Sequence, residues 1–257
     1  MIIDFVGAPA VGKSTFARAL ADRLLDCGCP VNVVASYRPA EGIHIHGSSP
    51  ANATPGQIAA ALRRITRPAT ELIANTGDFL VKTREPAIAK ELMTLLPPRS
   101  LIWSVRLHQY LIRLAHSWRL ASGADQIALF DQGFVQAVCS LVVLGRAADR
   151  QNISRALALV PMPDFLVHLT APVDVLATRL RERERRQGKL ERLFELDLPA
   201  NLSFVSVIAE LDLLLESWKC RVVSVDCADQ ESLLKEVERV ATDVITVFNQ
   251  TVSYRHD

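Results

Sequence analysis

The chain lacks an excess of charge of either sign. Across 257 residues, Lys plus Arg number 29 and Asp plus Glu 28, for a formal net charge of +1. That balance excludes a generic nucleic-acid coat and a polybasic membrane binder, both of which need a strong positive field. It does not exclude a local basic pocket. Internal repeats and low-complexity tracts are missing too. By reading alone, no stretch approaches the roughly 18 apolar residues of a membrane-spanning helix. The apolar start, Met1 to Val6, is far too short for a secretory signal, and a glycine loop follows at once. The five Cys are an odd count that suggests no disulfide framework. They read as small core residues of a reduced, cytoplasmic protein.

What is present is an ordinary globular composition, 49% apolar and 22% charged. An α/β domain of this size buries about three quarters of its unfolded surface, so it needs neither disulfides nor a structural metal. Five short apolar runs recur: Ile2 to Val6, Val31 to Ala35, Gln126 to Phe130, Phe165 to Leu169 and Arg221 to Val225. Runs of this length bounded by turn residues suit strands buried on both faces. Apolar residues at helical spacing fill Ser14 to Asp26, Leu101 to Ala121, Gln132 to Leu144, Val173 to Arg186, Leu202 to Trp218 and Ser232 to Phe248. Alternating strand and helix predicts a parallel sheet with right-handed crossovers. About 90 residues separate the second strand from the third, far more than one crossover helix needs. Gly42 to Gly56 reads as a loop, and Pro55 to Leu96 as helical, broken near Pro68 and Pro86. We therefore expect one domain over residues 1–257, with residues 40–96 as a helical insertion at the sheet's C-terminal edge.

Gly7-Ala8-Pro9-Ala10-Val11-Gly12-Lys13-Ser14 matches G-x-x-x-x-G-K-[ST] in full, between a strand pattern and a helix pattern. The glycines are expected to relax the backbone and let it approach phosphate oxygens. The loop from Gly7 through Ala10, Val11 and Gly12, with Lys13, Ser14 and Thr15 opening a helix, presents amides to an anion. Lys13 would reach the β and γ phosphates of ATP, and Ser14 would ligate Mg²⁺.

A carboxylate, Asp131, ends the third strand, on the sheet edge where ligands of parallel sheets bind. It could hold Mg²⁺ or accept the proton of an attacking hydroxyl. It could also cap the helix that follows. Arg179, Arg181, Arg183, Arg185, Arg186, Lys189 and Arg192 cluster after the fourth strand, interleaved with Glu182, Glu184 and Glu191. Elsewhere such a run is a solvated helix laced with ion pairs. Here its position suits a lid over residues 179–195. Arg179 and Arg183 lie on one helix face toward the transferring phosphoryl group, and Gly188 is a flexible point.

Together these features resemble the P-loop kinases of the nucleoside and nucleotide kinase group, thymidylate kinase most closely, from Met1 to about Glu195. The resemblance implies a P-loop NTPase three-layer sandwich, with a five-stranded parallel sheet of order 2-3-1-4-5, an acceptor-side insertion and a lid. It places Arg38-Pro39 and Arg106, within Ser104-Val105-Arg106-Leu107-His108, at the acceptor. It sets Asp131-Gln132-Gly133-Phe134 at the family's Asp-Arg-Tyr motif and Asp226-Cys227-Ala228-Asp229 where related kinases contact adenine. Gln132 replaces the motif's Arg, and Arg38-Pro39 lacks the Gly-Gly-Thr that follows it in the family. The ATP half thus matches better than the acceptor half.

The expected activity is transfer of the γ-phosphoryl of Mg-ATP to a small acceptor: a nucleotide, a nucleoside, or another hydroxyl compound such as a sugar or antibiotic. No nucleic-acid polymer and no membrane is expected as partner, and a homodimer is compatible with the sequence. The competing class is a nucleotide-dependent switch acting on a protein partner. A guanine-specific switch would carry Asn-Lys-x-Asp, which does not occur. His44-Ile45-His46 offers two imidazoles with no third ligand, and Cys27-Gly28-Cys29 is too tight for zinc without a second pair. Trp103 and Trp118 read as core rather than as stacking platforms.

Overall fold

The computed structural model describes residues 1–34, 85–145, 148–186, 196–215 and 220–253. Five strands form one parallel sheet: β1 (Ile2–Gly7), β2 (Val31–Val34), β3 (Ile127–Phe130), β4 (Phe165–Thr170) and β5 (Arg221–Asp226). Their order is β2-β3-β1-β4-β5, as the resemblance implied. The described helices are α1 (Lys13–Asp26), α2 (Glu85–Leu95), α3 (Leu101–Ser122), α4 (Phe134–Leu144), α5 (Arg150–Leu159), α6 (Val173–Arg186), α7 (Leu198–Leu215) and α8 (Gln230–Ser253).

The sheet's residue alternation assigns the layers. Phe5 on β1 meets Phe16 on α1 edge to face, with ring centroids 5.9 Å apart, and α1 packs beside α8. Asp4 points the other way, to the start of α4. Phe130, in register with Asp4, stacks on Trp118 of α3 at 4.9 Å. Helices therefore cover both faces of a sheet whose β1 and β3 are buried along their whole length. With the glycine loop joining β1 to α1, this is the α/β fold of P-loop NTPases.

Several boundaries differ from the sequence reading. The stretch around Pro86 starts a helix rather than breaking one. Pro86 is the second residue of α2, where its missing N–H would have no helical partner anyway. The chain divides into two compact units, Met1–Ala35 with Glu85–Asp257, and Ser36–Arg84. Through Ala89 and Leu92, with Leu96 just after it, α2 belongs to the sheet-bearing unit, so the end of the expected 40–96 insertion is part of that unit. The rest of the insertion, with Arg38 and the His44/His46 loop, lies outside the described residues, as do residues 187–195 of the expected lid. α4 begins at Phe134 rather than Gln132, because Gly133 is extended at φ −96° and ψ −154°. α5 had no counterpart in the sequence reading.

One expectation is corrected outright. α7 is 18 residues long with mean hydropathy 1.6, so by length and composition it could cross a membrane. It contains no unbroken apolar run, because Asn201, Ser203, Ser206, Glu210 and Asp212 interrupt it without lowering the mean enough. In the fold, Phe204, Ile208, Leu211 and Leu215 of α7 pack into the core, and Asp212 pairs with His168 of β4 at 2.9 Å.

Candidate active site

β1 and β3 are neighbours, and the last residue of β3, Phe130, pairs in register with Asp4 of β1. That adjacency brings the loop after β1 beside Asp131. The loop is tight. A Cβ on Gly7 would sit 2.7 Å from the Leu169 carbonyl oxygen and 2.9 Å from a Val11 methyl. Gly7 is thus required for close approach, while the special backbone angles expected of both loop glycines are not found at Gly7. The left-handed positions are Gly12 at φ 111° and Ala10 at φ 65°. A non-glycine residue there costs about 1–2 kcal/mol, so the loop stores strain at Ala10.

Gly12 caps α1, and Lys13, Ser14 and Thr15 form its first turn. Helix N-terminal amides and the helix dipole favour an anion at this point. Lys13 is buried, at 7% exposure, and its Nζ donates to the carbonyl oxygens of Gly7 at 2.6 Å and Ala8 at 3.1 Å. The ammonium therefore lies inside the loop's curl. Ser14 Oγ donates to Asp131 Oδ2 at 3.3 Å, so the hydroxyl and the carboxylate meet across two strands. Asp131 itself is 4% exposed.

Helix capping, the alternative duty considered for Asp131, falls to another residue. The first amides of α4 are taken by Asp4: Oδ1 accepts from Gly133 N at 2.9 Å and Oδ2 from Val135 N at 3.3 Å. Burial pushes the Asp4 carboxyl up to about 7, against the pull of these amides. Gln136, also buried, accepts from Gly7 N at 3.1 Å. Sequence reasoning missed both residues. The signal available for Asp4 was a lone carboxylate inside an otherwise apolar strand.

Arg179 does not stand over the loop as a lone cation. Its guanidinium donates to three carbonyl oxygens, those of Val11 at 3.3 Å, Cys227 at 3.0 Å and Ala228 at 2.9 Å. It ties the phosphate loop to the turn after β5. That turn is closed by Asp226, which accepts from Ala228 N, and by Asp229, which caps α8 through Ser232 N. Arg183, one helical turn beyond Arg179, is half-buried. On α3, the Arg106 guanidinium lies 4.9 Å over the Trp103 ring, and Tyr110 donates to the Gln132 carbonyl at 2.6 Å. Trp103, Arg106 and Tyr110 are three and four residues apart, so they share a helix face that ends at the Asp131 turn. Trp118 is core, as expected.

The donor set suits a magnesium ion. Among the described residues, no cluster of three or more His, Cys, Asp or Glu side chains forms a metal nest. A hydroxyl and one carboxylate, completed by phosphate oxygens and water, match the habit of Mg²⁺, which keeps few protein ligands.

No protein family matches the chain by sequence, and no curated protein matches it. Solved structures do. A deoxyadenosine kinase from M. mycoides, with the products dCMP and a flexible dCDP bound, aligns with a TM-score of 0.48 and 10% identity, over 96% of this chain and 100% of that one. The same kinase with dCTP bound gives a TM-score of 0.43 and 11% identity, over 95% and 100%.

Proposed function

We propose that the chain is an ATP-dependent phosphotransferase that passes the γ-phosphoryl group to a small acceptor, a nucleoside or nucleotide in the first instance. The observation that carries this reading is the meeting of a complete phosphate loop with an acidic strand end. Lys13 is buried within the loop and Ser14 contacts Asp131 across β1 and β3. Lys13 would exchange its two loop carbonyls for β and γ phosphate oxygens when the anion enters. The α1 amides and Gly12 hold that anion in place. Ser14 and Asp131 would hold Mg²⁺, which when bound neutralises charge on the β and γ phosphates. Alternatively, Asp131 would accept the acceptor's hydroxyl proton.

Arg179 acts as a brace that keeps Val11 against the turn at 227–228, where the base of the triphosphate would lie. Arg183 is the cation proposed to meet the transferring group. Trp103, Arg106 and Tyr110 form the acceptor-side face of α3, and Arg38 is proposed for the same site on the resemblance alone.

The deciding experiment is a screen of nucleosides, nucleotides and sugars as acceptors, read by ADP release, with Lys13→Ala as control. Acceptor-dependent release that vanishes in the variant supports the reading. Slow, acceptor-independent hydrolysis would favour a nucleotide switch instead.

A further inference from the structure

We propose that Asp4 and Gln136 are positioning residues: a buried clasp between β1 and α4 that sets the spacing between the phosphate loop and Asp131. For its catalytic consequence the proposal rests on the phosphotransferase reading above. The clasp has two arms of opposite direction. Asp4 of β1 accepts the first amides of α4, from Gly133 and Val135. Gln136 of α4 accepts the Gly7 amide at the end of β1. Asp4–Gly133 and Gly7–Gln136 each span 129 residues, so the two segments are locked in one register.

Three features separate the clasp from an ordinary helix cap. The first is its location. All six residues of β1 are buried, and a carboxylate there gives up its hydration, which an apolar residue would not do. Its carboxyl is pushed upward by that burial, so the placement is costly. The second is fit. A Cβ on Gly133 would lie 2.3 Å from the Asp4 carboxylate, so the helix start is pressed directly onto it. The third is consequence. Asp131 stands two residues before Gly133, the residue from which α4 starts. Asp4 holds the start of α4, and from the turn just before it Asp131 accepts the Ser14 hydroxyl. The same turn is braced from α3, where Tyr110 donates to the Gln132 carbonyl. Sliding α4 against β1 would break three buried bonds and move Asp131 away from Ser14 together.

The test uses the full chain. Binding of a non-hydrolysable ATP analogue is titrated with and without Mg²⁺ for wild type, Asp4→Asn and Gln136→Met, with a melting curve for each. Asn at position 4 keeps one acceptor and turns an N–H₂ toward an amide, so α4 shifts and Asp131 with it. Asp4→Asn should leave metal-free binding intact and cut the Mg²⁺-dependent gain in affinity by about 5-fold or more. It should also lower kcat by about 10²-fold with little change in KM for ATP, as a small misplacement of reacting groups does. Gln136→Met should weaken analogue binding in both conditions by about 5-fold, the effect of one lost hydrogen bond.

An unchanged Mg²⁺-dependent gain in Asp4→Asn, with only the melting point lowered, would overturn the proposal in favour of a purely structural acid. If Asp4→Asn does not fold, unchanged analogue affinity in Gln136→Met overturns it. A wild-type chain that binds the analogue but phosphorylates no acceptor defeats the phosphotransferase reading, while the titrations still decide the clasp. A wild-type chain that binds no triphosphate defeats both.

Discussion

Lys13 and Asp131 illustrate how one residue's surroundings restrict what it can do. Lys13 has the only ammonium in the motif and is already curled against Gly7 and Ala8 carbonyls. Lys13→Ala should abolish turnover and weaken triphosphate binding, measured by calorimetry and ADP release; activity above about a tenth of wild type would contradict the loop's role. For Asp131, the cap and the catalytic group make opposite predictions. A cap lost to Ala would cost about 1 kcal/mol of stability and spare activity. Since Asp4 already caps α4, we expect Asp131→Ala to melt near wild type and to lose about 10²-fold in rate. Turnover and melting on one sample decide between these outcomes.

At the scale of elements, α6 matters through one side chain. Arg179 joins the phosphate loop to the turn between β5 and α8 by three bonds to carbonyl oxygens. Arg179→Met keeps much of the stem but removes all three. The loop and the turn then separate, and KM for ATP should rise about 10-fold or more, because hydrogen bonds from a charged donor are the stronger kind. Arg183, one turn along α6, should behave differently. Its energy is expected mainly in the transition state, so Arg183→Ala should lower kcat far more than it raises KM. Equal effects of the two substitutions on KM alone would return α6 to a single structural role.

For the whole molecule, the buried Asp4 sets a pH dependence of stability. Its carboxyl moves from the ordinary value of 3.8 up to about 7 on folding. Between those values the folded chain holds more protons than the unfolded chain, so this group's effect is a loss of stability as pH rises. The loss is absent below about 4 and complete above about 7. Urea unfolding of wild type and Asp4→Asn at pH 5 and pH 8 isolates it, because other carboxylates cancel in the difference. Wild type should lose stability relative to the variant between the two pH values, and parallel behaviour would show that Asp4 is not buried as described.

What the sequence determined by itself was much of what depends on local pattern, although Arg150–Leu159 and the helix start at Pro86 escaped it. The five strands follow from short apolar runs, α6 from Val173 to Arg186 matches to the residue, and Gly7 to Ser14 declares a phosphate loop before any coordinate is known. These features need only neighbours in the chain. The tertiary structure decided which distant groups meet. That Asp131 faces Ser14 while Asp4 caps α4 depends on contacts between positions 117 and 129 residues apart, which no spacing in the sequence encodes. The same holds for Arg179. As one of seven cations in a charged run it read as a lid residue, and its three carbonyl partners lie in the loop and in the turn at 227–228, which only the fold brings together. A side chain's partners are chosen by the packing of the sheet and its helices, and packing is a property of the folded whole.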